Sequence, residues 1–341
     1  MKLDILYQSS TSYAIPAAVS LCSLFENNKD ITLLQVWFVD AGLTGQDRMY
    51  LKKLAARYGR NIEFLTNESV DEMLSEAGVE LWSGSYATFY KLFIWNRFQE
   101  TDRVLYIDAD TLVLGSLAGM CNFEMENYAC AMAASAMTGT VKDFLGVEDY
   151  FNAGVILFNL DYWKKNHTDK DFLEVVKSER CSRYTVVGDE SLINYVLKGK
   201  IKKLPLKYNF ESSWWLWGWN RKLDNRLGWN AAHRRYYSDH EIANAKDKPC
   251  IAHYVDLTTG RPWDVKNDNL FREEFEQYCR IVKPWKNMDF AMRGMGGNHK
   301  LAILLKYFVK KGMPFSIRSR LGFYQHDLAW KKKLQKIKCG K

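Results

Sequence analysis

The sequence predicts an α/β protein with a doubly wound sheet, and two observations lead to this fold class. In the first hundred residues, short apolar runs alternate with segments whose apolar residues recur at helical spacing, a pattern typical of βαβ units. The motif Asp108-Ala109-Asp110 then follows an apolar run, and such sheets bind ligands at the carboxyl ends of their strands. A chain of 341 residues, 47% of them hydrophobic, can bury the core of this fold.

Each predicted element rests on its local pattern. The apolar run from Val104 leads into the aspartate motif and resumes as a second apolar run to Val113. The other strands are predicted at Leu3 to Tyr7, Leu33 to Val39, Asn61 to Leu65, Tyr128 to Ala134, Ala153 to Phe158 and Cys250 to Val255. Helices are predicted at Ile15 to Phe25, Thr44 to Tyr58, Ser85 to Phe98, Tyr162 to Lys177, Glu190 to Leu197 and Leu270 to Cys279. Thr44 is a good N-cap residue, and Gly59 can close the helix that it begins.

The net charge of +8 is concentrated in the C-terminal tail. From Lys300 onward, 12 Lys or Arg residues stand against Asp327 alone, so the tail carries about +11. Apolar residues alternate with lysines near its start, as in basic amphipathic helices that lie on anionic lipid. We predict an α/β domain over residues 1–284 and a small, helical, basic extension over residues 285–341 that attaches to an anionic membrane surface. No nucleic-acid partner is expected, because no groove-reading motif accompanies the basic residues.

The cysteines and the apolar runs predict the location. The seven cysteines are scattered and form no C-x-x-C pair, so neither a disulfide framework nor a zinc site is indicated. The N-terminal apolar stretch is too short for a signal peptide, and no run approaches the roughly 18 apolar residues of a membrane span. We expect a cytoplasmic protein, associated peripherally with the inner face of the membrane.

Asp108 and Asp110 are candidate metal ligands. Side chains at i and i+2 of an extended chain point the same way, so these carboxylates can face one point. Hard oxygen donors at the end of a buried strand suit Mg²⁺ or Mn²⁺. A solvated turn is the alternative for an isolated Asp-x-Asp.

Further pieces follow this motif in a fixed order. They are Phe151-Asn152-Ala153-Gly154-Val155, Gly188-Asp189-Glu190 at the start of a helix, His253-Tyr254, and Arg261-Pro262-Trp263. Together with the aspartate motif they resemble the family 8 glycosyltransferases, which are retaining enzymes of the GT-A fold that transfer a sugar from a nucleotide donor. The resemblance spans most of residues 3 to 263.

The resemblance implies a metal site and a phosphate site. Asp108, Asp110 and His253 would hold Mn²⁺ or Mg²⁺, which neutralises a leaving diphosphate. Arg261 would clamp the diphosphate, because a guanidinium matches phosphate oxygens in a fork. Lys91, where the family usually has Arg, would touch the donor phosphate or sugar. The alternatives are a core histidine at position 253 and a snorkelling surface lysine at position 91.

The resemblance also implies contacts to the sugar and to the base. Asn152 and Asp189 would bind sugar hydroxyls, although Asn152 could instead be a turn residue and Asp189 a helix N-cap. The donor would be a UDP-sugar, with Tyr13 stacking on the uracil and Ser10 beside it, where many relatives have an Asp. Ala109, within the aspartate motif, belongs to the same donor site.

Asp189 and Glu190, which are adjacent, are the candidate catalytic residues. Relatives commonly have Gln at position 190, whereas the Glu190 carboxylate would stay ionised and could attack the anomeric carbon of the donor. The alternative is a contact to a sugar hydroxyl or a stabilising acid in the first turn of the helix.

The predicted function is a metal-dependent retaining transfer of a hexose, glucose or galactose, to a glycan or lipid-linked acceptor of the cell envelope. A haloacid-dehalogenase-like phosphohydrolase is the first alternative, with Asp108 as nucleophile and Asp110 as acid/base. A non-catalytic carbohydrate-binding protein is the second, with sugar stacking on the aromatic cluster Trp214, Trp215, Trp217 and Trp219. In the enzyme, the same cluster could stack on an acceptor sugar, and core packing is the alternative for these residues.

Overall fold

A seven-stranded sheet in the order β3-β2-β1-β4-β7-β6-β8 organises the computed structural model. The structure describes residues 1–66, 68–82, 84–98, 100–136, 139–216, 236–255, 261–263, 269–282 and 328–337. Strand β7 is antiparallel to β4 and β6, whereas the other neighbouring pairs are parallel. The strands of this sheet are β1 Lys2–Ser9, β2 Leu33–Asp40, β3 Ile62–Leu65, β4 Arg103–Ile107, β6 Cys130–Ala134, β7 Phe151–Asn159 and β8 Ile201–Lys203.

Helices cover this sheet and connect its strands. In the first part of the chain they are α1 Ala14–Asn27, α2 Gly45–Arg57, α3 Glu68–Glu76, α4 Ala118–Cys121 and α5 Gly139–Leu145. The later described helices are α6 Leu160–Asn166, α7 Thr168–Val176, α8 Cys181–Tyr184, α9 Gly188–Val196, α10 Asp239–Asp247 and α11 Arg272–Val282. The predicted α/β class with a mixed, doubly wound sheet is therefore confirmed.

Local sequence explains why the first elements form where they do. Leu3, Ile5 and Leu6 in β1 are fully or almost fully buried, as expected for an apolar strand covered on both faces. Helix α2 begins with a capping box, in which the Thr44 side chain accepts from the Asp47 amide and the Asp47 carboxylate accepts from the Thr44 amide. The predicted N-cap is thus confirmed.

A second, three-stranded sheet brings distant segments to the end of β4. Its order is β5-β10-β9, with β5 Thr111–Val113, β9 Phe210–Glu211 and β10 Ile251–His253. The antiparallel register of β5 and β10 pairs Thr111 with His253. This pairing sets His253 beside the aspartate motif, which lies between β4 and β5.

Two predicted helices differ from the structure. The segment predicted as a helix from Ser85 to Phe98 instead forms two short 3-10 helices, Ala87–Leu92 and Trp95–Arg97. Four consecutive residues from Phe89 to Leu92 are buried, so this segment runs through the core and lacks the single buried stripe of a surface α-helix. The helix predicted from Tyr162 to Lys177 is broken at His167, which has a φ of 51°.

The helix over 328–337 lies within the predicted C-terminal extension and packs against the α/β domain. Its Leu334 is buried in a small apolar cluster with Phe144, Tyr150 and Val186. The Lys333 ammonium donates to the Val186 carbonyl at 3.1 Å and lies 5.5 Å from the centre of the Trp82 ring. The apolar side of this helix therefore faces protein. Within the described ranges, no helix combines the length and the apolar character needed to cross a membrane.

Candidate metal and donor-sugar site

Asp108, Asp110 and His253 form a cluster that could hold a metal ion, at the carboxyl end of β4. Each residue offers a ligand atom, and these atoms all lie within 4.8 Å of one another. His253 Nε2 lies 3.7 Å from Asp108 Oδ2 and 3.5 Å from Asp110 Oδ1. Two carboxylates and one imidazole form a donor set that accommodates Mn²⁺. The predicted ligands therefore come together in a geometry that fits a divalent cation.

Burial and the mutual charges of the cluster shift the pKa values of Asp108 and His253. Desolvation, helped by the Asp110 charge and opposed by Lys91, raises the pKa of Asp108 to about 6. Burial lowers the pKa of His253, but the hydrogen bond and charge of Asp110 and the charge of Asp108 outweigh it, so that the pKa is raised to about 8. A metal ion binding here would have to displace these protons, because metal ligands are deprotonated.

Gly154 gives the His253 ring its space. A Cβ atom at position 154 would lie 2.1 Å from His253 Cε1 and 2.6 Å from Nδ1. Such distances are far inside van der Waals contact, and the backbone of β7 carries this residue beside β4, where the Asp108 amide donates to the Gly154 carbonyl at 2.8 Å. The glycine in the Asn-Ala-Gly segment is therefore a requirement for close approach.

We expect Gly154→Ala to weaken Mn²⁺ binding and to lower any metal-dependent rate by about tenfold or more, because the methyl group must push the His253 ring out of line. Mn²⁺ titration followed by electron paramagnetic resonance measures the first effect. Gly45→Ala is the matched control, since a Cβ atom there meets nothing within 4 Å. Wild-type Mn²⁺ affinity in Gly154→Ala would contradict this expectation.

Lys91 is a buried cation between two of the predicted site carboxylates. Its Nζ lies 2.7 Å from Asp189 Oδ2 and 3.8 Å from Asp108 Oδ1, and 4.1 Å from the centre of the Tyr106 ring. Only 2% of this lysine is exposed, so the snorkelling surface alternative is wrong. Burial alone would lower the pKa of Lys91, but the charges of Asp189 and Asp108 hold it above its ordinary value.

Asp189 and Glu190 lie in the first turn of α9, which begins at Gly188. Asp189 is therefore not the N-cap; besides its ion pair with Lys91, it accepts a hydrogen bond from the Thr88 hydroxyl. Glu190 Oε2 accepts from Asn152 Nδ2 at 3.0 Å and from the Ala153 amide at 3.2 Å. These bonds join the start of α9 to β7.

The surroundings of Glu190 in the protein alone favour its neutral form, in contrast to the ionised state expected beside a metal ion. Desolvation by the surrounding protein, together with the nearby carboxylates of Glu211 and Asp189, raises the pKa of Glu190 to about 8. At neutral pH this side chain is mainly the neutral acid, because the ionised form would add charge to a region already rich in carboxylates.

Tyr13 and Arg261 meet on the other side of the metal cluster. The Arg261 guanidinium lies over the Tyr13 ring, 5.1 Å from its centre, and its Nη2 lies 3.4 Å from Asp110 Oδ2. Ser10, at the end of β1, shares a 2.8 Å hydrogen bond with the Ser12 hydroxyl, and Ala109 is buried between the two aspartates. The predicted base and phosphate residues thus lie on the same side of the sheet as the metal ligands.

The aromatic cluster is only partly described. Trp214 is fully buried and its indole Nε1 donates to the Ala134 carbonyl at 3.2 Å, so this tryptophan is a core residue and the prediction of a sugar platform is wrong for it. Trp217 and Trp219 lie outside the described residues, as do residues 256–260 before Arg261.

Two buried polar residues of the site were not predicted. Asn209 lies between Asn152 and His253, with hydrogen-bond distances of 2.8 Å and 3.0 Å. Glu211 pairs with His253 in the β9–β10 register and accepts from the Ala136 amide at 2.7 Å. Their segment, Lys207-Tyr208-Asn209-Phe210-Glu211, directly follows Pro205 and Leu206 and gives no sequence signal for a metal site.

The fold is that of the GT-A glycosyltransferases. This chain superimposes on the structure of the galactosyltransferase LgtC in complex with donor and acceptor sugar analogs, with a TM-score of 0.64. The match covers 84% of this chain and 97% of LgtC at 20% sequence identity. A profile of glycosyl transferase family 8 matches residues 4–267. The chain belongs to this family. The phosphohydrolase alternative is therefore wrong.

Relatives in sequence include bacterial glycosyltransferases. The lipopolysaccharide 1,3-galactosyltransferase of Salmonella typhimurium is 26% identical over 338 residues, which are 96% of this chain and 92% of the relative. Glycosyltransferase GlyB of Streptococcus pneumoniae is 29% identical over 213 residues, 62% of this chain. The chain spans 46% of the length of GlyB.

Proposed function

We propose that the protein is a divalent-metal-dependent retaining hexosyltransferase that transfers glucose or galactose from a UDP-sugar to a glycan or lipid-linked acceptor. The observation that carries the proposal is the Asp108, Asp110 and His253 cluster, with its ligand atoms within 4.8 Å of one another. The Salmonella relative, a lipopolysaccharide galactosyltransferase, supports a hexose donor and a lipid-linked acceptor.

Each described side chain has a part in this proposal. A metal ion bound by the cluster supplies positive charge that makes the nucleoside diphosphate a better leaving group. Arg261 and Lys91 add two further cations on either side of the aspartates, Arg261 through Asp110 and Lys91 through Asp108. Tyr13 offers an aromatic surface to the base, and Asp189 and Asn152 offer oxygens and an amide to the sugar hydroxyls.

A retaining transfer replaces the bond to the diphosphate by a bond to the acceptor without changing the anomeric configuration. The bond from the anomeric carbon to the diphosphate oxygen breaks, and a bond to the acceptor oxygen forms on the same face of the sugar. The acceptor proton passes to the departing diphosphate. A double displacement would instead need an ionised nucleophile. The raised pKa of Glu190, about 8, supports the same-face route.

We expect Glu190→Gln to keep its transfer rate within about tenfold of wild type, because the neutral acid and the amide offer the same accepting oxygen to Asn152 and Ala153. Glu190→Ala, which lacks that oxygen, is the comparison variant and should lose more. The measurements are steady-state rates and mass spectrometry of peptides after reaction with slow fluorinated donors. A loss near 10³-fold in Glu190→Gln, or a glycosylated Glu190 peptide, would establish a covalent route.

The same variant should change the pH dependence of stability. The pKa of Glu190 is about 8 in the folded protein and 4.5 in its ordinary state, so the folded protein keeps a proton that the unfolded chain loses in this window. Unfolding free energy therefore falls as pH rises from 4.5 to 8, and this part of the decrease should be absent in Glu190→Gln.

A direct assay tests the proposed function. The protein would be incubated with a panel of nucleotide sugars and Mn²⁺, and released nucleoside diphosphate would be measured with and without a chelator. UDP release from UDP-glucose or UDP-galactose that disappears with the chelator is the expected result. No release from any donor at saturating Mn²⁺, even with acceptor glycans of the lipopolysaccharide type, would count against the proposal.

We also propose that the basic tail from Lys300 onward holds the enzyme on anionic membrane, because it contains 12 Lys or Arg residues and one acidic residue. Removing the whole tail is a poor test, because the helix over 328–337 buries Leu334 against the domain. A sharper variant replaces four lysines by Gln before that helix, at Lys300, Lys306, Lys310 and Lys311.

This variant should bind anionic vesicles about 10³-fold more weakly, since each of the four lysines contributes about 1 kcal/mol near such a surface. Co-sedimentation with vesicles measures the effect. The control loses the same charge from the exposed surface of the α/β domain, at Lys52, Lys53, Lys165 and Lys170. Equal sedimentation of the tail variant and the control would disprove membrane attachment through these lysines.

A further inference from the structure

Asn209 occupies the centre of a buried hydrogen-bond chain. It is fully buried and immediately precedes β9, whose parallel register with β10 brings it beside His253. One end of its side-chain amide lies 2.8 Å from Asn152 Oδ1, and the other lies 3.0 Å from His253 Nδ1. Asn152 continues the chain to Glu190. A single asparagine therefore connects the metal cluster to the start of α9.

A backbone amide fixes the direction of this chain. The Gly154 N–H can only donate, and it lies 2.9 Å from the Asn152 oxygen Oδ1. The amide nitrogen of Asn152 consequently faces Glu190 Oε2. Because Asn152 Oδ1 accepts, Asn209 must turn its amide nitrogen toward it and its oxygen toward His253. That oxygen can only accept, so His253 Nδ1 must carry the hydrogen.

This direction determines what His253 offers to a cation. With the hydrogen on Nδ1, the neutral ring has its lone pair on Nε2, the atom that lies 3.7 Å and 3.5 Å from Asp108 and Asp110. The opposite tautomer would point an N–H at the metal position. Groups that bond the second nitrogen of a metal-binding histidine set both its tautomer and its ring plane.

We propose that Asn209 is a positioning residue that, through the Gly154 amide and Asn152, holds His253 in the Nδ1-protonated tautomer for metal binding. The inference rests on the proposed function, because it concerns the divalent metal ion proposed to bind at Asp108, Asp110 and His253. It assigns to Asn209 a role in metal affinity that does not require contact with donor or acceptor. It also makes the Asn152 side chain part of the metal site as well as of the sugar site.

The first test is Mn²⁺ affinity, followed by electron paramagnetic resonance without any sugar. Asn209→Leu should bind Mn²⁺ about 10- to 100-fold more weakly, the usual loss when such a partner is removed. Asn209→Asp should recover part of the affinity, because one carboxylate oxygen still accepts from Nδ1, although the bond that Asn209 donates to Asn152 Oδ1 is lost. A Leu variant with unchanged Mn²⁺ affinity would overturn the assignment, as would an Asp variant no better than Leu.

Asn28→Leu is the matched control for loss of a buried asparagine. Asn28 is also fully buried, donating to the Leu24 carbonyl at 3.0 Å and accepting from the Leu117 amide at 2.6 Å. Its replacement should lower stability in a similar way while leaving Mn²⁺ affinity within about threefold of wild type. A comparable loss of affinity in this control would show that destabilisation alone explains the Asn209 result, and would overturn the assignment.

A second measurement needs no variant. The chain has six histidines, so nitrogen NMR of histidine-labelled, unsubstituted protein can identify the protonated ring nitrogen of His253 at a pH above its pKa. Hydrogen on Nδ1 is expected, and hydrogen on Nε2 would overturn the inference. If the unsubstituted protein binds no Mn²⁺, the proposed function fails, whereas the NMR result still decides the tautomer.

Discussion

Replacing Asp108 by Asn is expected to lower the transfer rate by about 10²-fold or more, because the metal ion loses a charged ligand and the leaving diphosphate is less well neutralised. Asp108 is the better of the two aspartates for this test. It lies near both His253 Nε2 and Lys91 Nζ, so the substitution weakens the metal cluster and the adjoining ion pair together. The measurement is the steady-state rate of nucleoside diphosphate release over a range of Mn²⁺ concentrations.

The control for this experiment lies at the other end of β4. Asp102 immediately precedes β4 at its amino end and is exposed, so Asp102→Asn removes an equal charge at the opposite edge of the sheet. It should retain the wild-type rate. If Asp108→Asn were fully active with a chelator present, the reaction would not depend on a metal at this site.

The second large effect is expected for Lys91→Met. The substitution keeps the apolar stem but removes the cation 2.7 Å from Asp189 and 3.8 Å from Asp108. Two carboxylates then lose their buried partner, and breaking a buried ion pair in this way costs about 3–5 kcal/mol. We expect a lower free energy of unfolding by an amount in that range, measured by urea denaturation, and a transfer rate reduced by about 10²-fold or more.

Two further experiments test whether the positive charge of Lys91, and not the shape of its side chain, stabilises the protein. The guanidinium of Lys91→Arg keeps the positive charge beside Asp189 and Asp108 and should retain most of the stability. Saturating Mn²⁺ should restore part of the stability of Lys91→Met, because the metal ion offers Asp108 a new counter-charge. Wild-type stability of Lys91→Met without metal would mean that the ion pair contributes nothing to the fold.

Local patterns were enough to predict much of the fold. The i, i+2 spacing of Asp108 and Asp110 in an extended chain predicted two carboxylates facing one point. The carboxylates do converge, although the motif forms the turn between β4 and β5 and is not itself a strand. The capping sequence at Thr44 predicted the start of α2, because helix capping is a local property. Helix α10 was missed although Ser238 and Glu241 form a capping box in the structure, a signal that the sequence contains.

The rest depends on pairings between distant residues. Lys91 meets Asp189 across nearly a hundred positions of the chain, and no periodicity around Phe89 or Tyr90 indicates that its ammonium lies in the core. Asn209 has no distinguishing neighbours, and its role follows only from the register of β9 with β10. The position of His253 was predicted because the resemblance to a family supplied the long-range order that local spacing lacks.

The pairing of β5 with β10 has a consequence for when the site can form. Asp110 and His253 are about 140 residues apart along the chain, and contacts of such high sequence separation form late because loop closure must precede them. During synthesis, the aspartates leave the ribosome long before the histidine does. Mn²⁺ binding at the proposed site would therefore report completed folding, since a growing chain that ends before β10 holds only two of the three candidate ligands.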